Sequence, residues 1–135
     1  MTHILEFEKL VRYDSGKSGI SINVQVRSGQ DSTTFEAKID TGSTYCIFER
    51  IHGEKLGIEI ESGLRESIST ASGSFWAFAH QITLVFEDYE FDSTVYFAQD
   101  ENFNRNVLGR HGWLDRVIIG INDYDGKLYL SRYES

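Results

Sequence analysis

The chain has no proline and only one cysteine in 135 residues. Without proline no turn is pre-set by a locked φ, so chain reversals must rest on Gly, Asn, Asp and Ser. A single cysteine excludes an internal disulfide framework. Basic residues are also scarce: 13 Lys and Arg face 21 Asp and Glu, giving a net charge of −8 and a pI near 4.9. A nucleic-acid partner needs a clustered basic footprint, and none is present, so none is expected. No run approaches the roughly 20 apolar residues of a membrane span, so no membrane partner is expected either. Met1–Glu8 shows neither a basic n-region nor a long apolar h-region. Together with the lone cysteine this leads to the expectation of a cytoplasmic protein without a secretory leader. His3, His52, His80 and His111 are scattered, with no His-x-x-x-His pair and no Cys/His cluster, so neither metal nor cofactor is expected.

What the chain does have is a globular composition, 40% hydrophobic and 13% aromatic. One domain over residues 1–135 is large enough for a real core. Ile20-Ser21-Ile22-Asn23-Val24-Gln25-Val26 alternates between apolar and polar residues, after a turn at Asp14–Gly19. Gln81–Glu87 and Tyr89–Phe97 read as strands joined by a tight turn near Asp88. Many short alternating runs with regular turn signals predict a mostly β fold, a sandwich or a barrel.

One turn stands apart. In Thr34-Phe35-Glu36-Ala37-Lys38-Ile39, the residues Phe35, Ala37 and Ile39 fall on one face at period two, the pattern of a half-buried strand. That strand delivers an acid, Asp40, to Thr41-Gly42-Ser43. Gly42 lets the backbone reverse there without a Cβ clash, and Thr41 and Ser43 place hydroxyls where they can donate to a carboxylate. Next, Phe48, Ile51, Lys55 and Leu56 have roughly helical spacing, with Gly57 where a helix-ending glycine belongs. Leu64–Phe78 then reads as a hairpin with a small tip at Ala71-Ser72-Gly73-Ser74. Further on come Asn106-Val107-Leu108-Gly109-Arg110, followed by residues 111–117, and then Asp123–Leu130.

These segments, in this order over residues 18–132, resemble the single-domain, retropepsin-like aspartic proteases. Asn106–Arg110 is similar to the family's apolar-apolar-Gly segment, residues 111–117 to the short helix after it, and Asp123–Leu130 to its closing strand pair. The resemblance implies a closed β barrel or sandwich with a flap hairpin and one or two short helices. It implies Asp40 as the catalytic acid, supported by Thr41, Gly42, Ser43, Leu108 and Gly109, with Ala71, Ser72, Gly73 and Ser74 as the substrate-binding flap. Aspartic proteolysis needs two carboxylates sharing one proton, and this chain offers one Asp-Thr-Gly. The resemblance therefore implies a homodimer in which two copies of Asp40 meet on a two-fold axis and act on a peptide or protein substrate. Thr41 would hydrogen-bond across that axis and Ser43 would support the carboxylates. Terminal strands, with Leu128 and Leu130 on one face and Tyr129 on the other, are expected to be shared between the chains.

The chain departs from the family's pattern at one point. Viral members commonly carry an acid two residues beyond the Asp-Thr-Gly, paired with the arginine after the later apolar-apolar-Gly. Here that position is Thr44, so Arg110 must find Asp115, an acid across the dimer, or carbonyl groups. Cys46, inside the apolar run Tyr45–Phe48, reads as a small buried hydrophobe and not a nucleophile. Asn122–Gly126 reads as a hairpin turn and not a calcium loop, since no downstream Glu follows at the right spacing. Trp76 and Trp113 read as core or interface residues. The alternative function is a silent protease-fold module that dimerises or binds peptide without turnover.

Overall fold

The computed structural model describes residues 1–133. Its strands are β1 (Lys9–Arg12), β2 (Ser21–Ser28), β3 (Asp31–Ile39), β4 (Ile47–Phe48), β5 (Leu64–Thr70), β6 (Gly73–Phe86), β7 (Tyr89–Ala98), β8 (Val107–Leu108), β9 (Val117–Asn122) and β10 (Lys127–Arg132). Helix α1 spans Arg50–Lys55, and single 3-10 turns lie at Ile60–Ser62 and Leu114–Arg116. No helix among the described residues is long and apolar enough to cross a membrane.

The larger sheet runs β2-β3-β8-β4-β7-β6-β5, and β6 also pairs back onto β2 through Val26↔Leu84. Six strands thus close a ring, although β8 meets β3 only at Lys38 and Ile39 and β6 meets β2 only at Gln25–Arg27, and β5 extends from the ring on β6 alone. Period-two alternation fills the ring. Ile22, Val24 and Val26 of β2 and Phe35 and Ala37 of β3 point inward with Leu84, Val95, Phe97 and Leu108. Burying side chains of this size contributes about 1.5–3 kcal/mol each. The smaller antiparallel sheet, β1-β10-β9, lays Leu128 and Leu130 against the same core.

The structure departs from the sequence reading in four places. Helix α1 ends as expected, with Gly57 at φ +72° and its N–H donating to the Glu54 carbonyl at 2.9 Å. Its buried residues, however, are His52 and Gly53, while Ile51 is 47% exposed and Phe48 belongs to β4. A helix of under two turns is too short for a 3.6-residue period to choose its face; stacking of His52 on Phe35, 3.9 Å between centroids, chooses it instead. The second helix is only the 3-10 turn Leu114–Arg116. Trp113, fully buried and edge-on to Phe86 at 6.1 Å, pulls the chain into the core and prevents a longer helix.

The third difference is the hairpin. Pairing runs out to Thr70↔Gly73, so only Ala71 and Ser72 remain as the turn. β6 then continues unbroken from the hairpin into the ring, a continuity hidden because β5 gives way to β2 along one of its edges while β7 takes the other edge from Ala77 onward. The fourth is β10. It lies between β1 and β9 of its own chain, so neither of its edges is open to a partner strand. The free edges are those of β1 and β9. Leu10 and Ile118 stay exposed on this small sheet.

Candidate active site

β3 ends at Ile39, and Asp40 follows as the first residue beyond the sheet. Its backbone N–H still donates to the Leu108 carbonyl at 3.0 Å, because β8 runs parallel to β3 with Ile39 opposite Leu108. The carboxylate is solvent-exposed and accepts the Gly42 N–H at Oδ1, 2.9 Å. Gly42 is not in the left-handed region. Its value lies elsewhere: a Cβ there would sit 3.3 Å from the same Oδ1 and crowd the oxygen that the amide holds.

The hydroxyls are arranged differently from the expectation. Ser43 Oγ donates to the Tyr45 carbonyl at 2.7 Å and not to Asp40, so in the single chain it fixes the loop and leaves the carboxylate to the amide. Thr41 is exposed, with no partner among the described residues. The rest of the loop is tied from behind. Arg110 N–H donates to the Ser43 carbonyl and His111 N–H to the Thr44 carbonyl, both at 2.8 Å. Leu108 is fully buried. A Cβ on Gly109 would lie 2.2 Å from the Tyr45 carbonyl oxygen and 2.7 Å from that of Ser43, so only glycine lets the two strands pass at this distance. Leu108 and Gly109 thus form the wall behind the turn and do not reach the cleft.

A residue the sequence reading did not weigh completes this scaffold. Asn106 accepts the Glu49 N–H at Oδ1 (2.9 Å), donates from Nδ2 to Glu49 Oε1 (2.7 Å), and offers its carbonyl to Lys38 N–H (2.8 Å). It therefore ties β3, β8 and the entry to α1 together. Its place directly before Val107-Leu108-Gly109 is the sequence signal that marks it.

In front of the loop lies a cleft of about 410 Å³. Asp40, Gly42, Ser43 and Thr44 form one part of its lining, and Ser67–Thr70 and Phe75 of the β5–β6 hairpin form another. The expected flap residues Ala71, Ser72, Gly73 and Ser74 are exposed at the tip of that hairpin and do not line the cleft. The shaft does so instead, because a fully paired hairpin presents its alternate side chains along its length. Ile68 of the shaft packs with Ile47 and Ala77 in a small apolar cluster that Tyr45, Phe75, Tyr96 and Phe103 join. Sequence reasoning missed Phe103 and Arg105, which also line the cleft.

The remaining expected groups fall outside the cleft. Arg110 is exposed and makes no salt bridge among the described residues. Asp115 accepts the Gly112 N–H at 3.0 Å and stands 3.6 Å from His111, so it is not Arg110's partner. Cys46 is fully buried, and burial pushes its thiol up to about 12, which suits an inert core residue. Trp113 is core, whereas Trp76 is 43% exposed on the hairpin under the Arg65 guanidinium, 4.0 Å from its ring centroid. Among the described residues no three His, Cys, Asp or Glu side chains gather as metal ligands.

No protein-family model and no curated protein matches the chain in sequence. Solved structures do match in shape. A retropepsin-like aspartic protease from Rickettsia conorii superposes with a TM-score of 0.65 at 16% identity, over 96% of this chain and 96% of its own. EIAV protease, in complex with the inhibitor HBY-793, superposes with a TM-score of 0.54 at 16% identity, over 70% of this chain and 84% of its own. The chain has the retropepsin-like fold.

Proposed function

We propose that the protein is an aspartic endopeptidase acting as a homodimer, with Asp40 of each chain forming one water-activating pair. The observation that carries this reading is Asp40 itself: an exposed carboxylate at a strand end, held by the Gly42 amide, on the wall of a cleft roofed by a hairpin. An acid so exposed, on a loop so fixed, has its second carboxylate supplied by a two-fold partner.

In the pair, two nearby carboxylates share one proton. The ionised member takes a proton from the intervening water as its oxygen bonds to the scissile carbonyl carbon, and the protonated member donates to the carbonyl oxygen. The tetrahedral intermediate then collapses. The carboxyl that took the water's proton gives it to the amine nitrogen as the C–N bond breaks, and a hydroxyl of the intermediate returns its proton to the other carboxylate, so the pair again holds one proton. Asp40 is the catalytic residue here. Thr41, exposed beside it, bonds across the axis, while Ser43 and Gly42 hold the loop, and Leu108 and Gly109 keep water out from behind. The hairpin tip Ala71–Ser74 closes over the bound peptide. The lone buried cysteine suits a reducing compartment such as the cytoplasm.

The test is digestion of an unbiased peptide library by the parent and by Asp40→Asn, at several pH values. The parent should cleave, best between about pH 4 and 6.5 because the pair must hold a proton. The variant should fold normally and cleave nothing. Equal cleavage by both removes Asp40 from the chemistry. Peptide retention without cleavage by the parent identifies a binding module instead.

A further inference from the structure

Among the described residues lining the cleft, only two carry a full charge: Asp40 and Arg105. Arg105 is exposed and has no salt-bridge partner among the described residues, although the chain as a whole carries eight more negative than positive charges. Three other arginines pair with acids, while Arg12, Arg65, Arg110 and Arg116 make no salt bridge among the described residues but stand outside this cleft. Arg50 is bidentate to Glu61, Arg27 binds Glu90, and Arg132 meets Glu8. Arg105 instead lies over Phe103, 5.4 Å from the ring centroid, and Phe103 is packed on Phe75 of the hairpin at 4.7 Å. An aromatic shelf thus holds a guanidinium at the cleft, with its forked N–H donors unspent.

From this geometry we infer that Arg105 is a specificity-determining residue that selects substrates with a carboxylate side chain close to an apolar scissile pair. This deepens the peptidase reading and rests on it. The apolar share of the recognition comes from Ile47, Ile68 and Val107 along the same cleft. The acidic surface repels an anionic peptide at long range, so one unpaired cation at the cleft is what admits it and sets its register. In a two-fold dimer Arg105 occurs twice, once on each side of the paired Asp40 residues. The preferred peptide therefore carries acids on both flanks of the cleaved bond.

The probes are synthetic peptides with a central apolar pair and Glu, Gln or Lys scanned through the flanking positions. They are measured near pH 6, where a peptide Glu is ionised. At low salt the best Glu peptide should exceed its Gln counterpart in kcat/KM by about five-fold per flank, and high salt should shrink the ratio. Arg105→Gln should bring the ratio close to one, and Arg105→Glu should turn the preference toward Lys. A parent enzyme without preference for Glu, or a preference unchanged in Arg105→Gln, overturns the inference while leaving the peptidase reading intact. If the parent cleaves none of the peptides, fluorescence anisotropy of the same labelled peptides decides. Tighter binding of Glu peptides that is lost in Arg105→Gln upholds the role of Arg105 and removes the peptidase; absence of any such preference removes Arg105 as well.

Discussion

The Asp40 loop and the tip of the β5–β6 hairpin are both exposed, glycine-containing turns, yet they are held in opposite ways. Around Asp40, the carbonyls and amides of residues 40, 43 and 44 are bonded to Leu108, Arg110 and His111, on a segment anchored in the core by Leu108. At the tip, Thr70 Oγ1 donates to the Gly73 carbonyl at 2.9 Å, and Ser69 and Ser74 share a hydroxyl contact at 3.4 Å, so the tip is braced only by itself. A reacting carboxylate must be placed to within a fraction of an ångström. Under the proposed function the tip is a lid, and a lid must open at small cost. The same residue types, Ser, Thr and Gly, serve either end according to what lies behind them.

The largest effect expected from breaking this contrast is at Gly109. Its replacement by Ala drives a methyl into two backbone carbonyls at 2.2 and 2.7 Å, and should cost about 3 kcal/mol, the upper end of what overpacking typically costs. Urea unfolding at neutral pH measures this. A Gly109→Ala protein as stable as the parent would mean that the wall behind Asp40 is softer than described. Asn106→Ala comes next, at about 1–3 kcal/mol, because the Glu49 amide is left without its partner. Activity should fall further than stability if the tie to β3 also positions Asp40.

Smaller again is an effect of pH on stability. His52 is 8% exposed, stacked on Phe35, and neither ring nitrogen has a hydrogen-bond partner among the described residues. Burial holds its pKa below the ordinary value, and Glu49, 3.4 Å away, offsets this only in part. The unfolded chain takes up that proton near pH 6.5, whereas the folded chain takes it up at lower pH. Stability from this group is therefore complete above about pH 6.5 and lost as pH falls through the folded value. Glu61 and Asp88, held low by Arg50 and Lys9, add a separate loss at lower pH, which sets in within the usual carboxylate range and continues as pH falls through their lowered folded values. Melting temperatures across pH 4–8 should show the upper step, and His52→Phe should remove that step alone. The smallest effect belongs to the tip: Ser72→Ala should change stability by less than about 0.5 kcal/mol, as exposed substitutions do, and be felt in KM if the tip covers substrate.

Much of this contrast is legible in the sequence because local chemistry carries it. Alternation at Phe35, Ala37 and Ile39 marks the strand that ends at Asp40, and Gly57 marks the end of α1. The hairpin is marked by its small-residue tip, but its inward face is not, since which alternate residues line a cleft depends on the register with β6. The missing second helix has the same cause: nothing local in His111–Val117 shows that Trp113 is taken into the core. The Ser43 hydroxyl went to Tyr45 because the loop curls back on itself, a geometry that no spacing rule encodes. Arg105 and Asn106 lie outside the apolar-apolar-Gly segment that draws the eye, and only the fold brings them to the cleft and to Glu49.

The central claim is that one chain holds half a site. Sedimentation equilibrium and specific activity, measured on the same dilution series, test it most directly. Specific activity should fall in step with the dimer fraction as concentration drops below the dimer dissociation constant, and addition of excess Asp40→Asn chain should lower it beyond simple dilution. Constant specific activity through a range where the protein sediments as a monomer would contradict the claim.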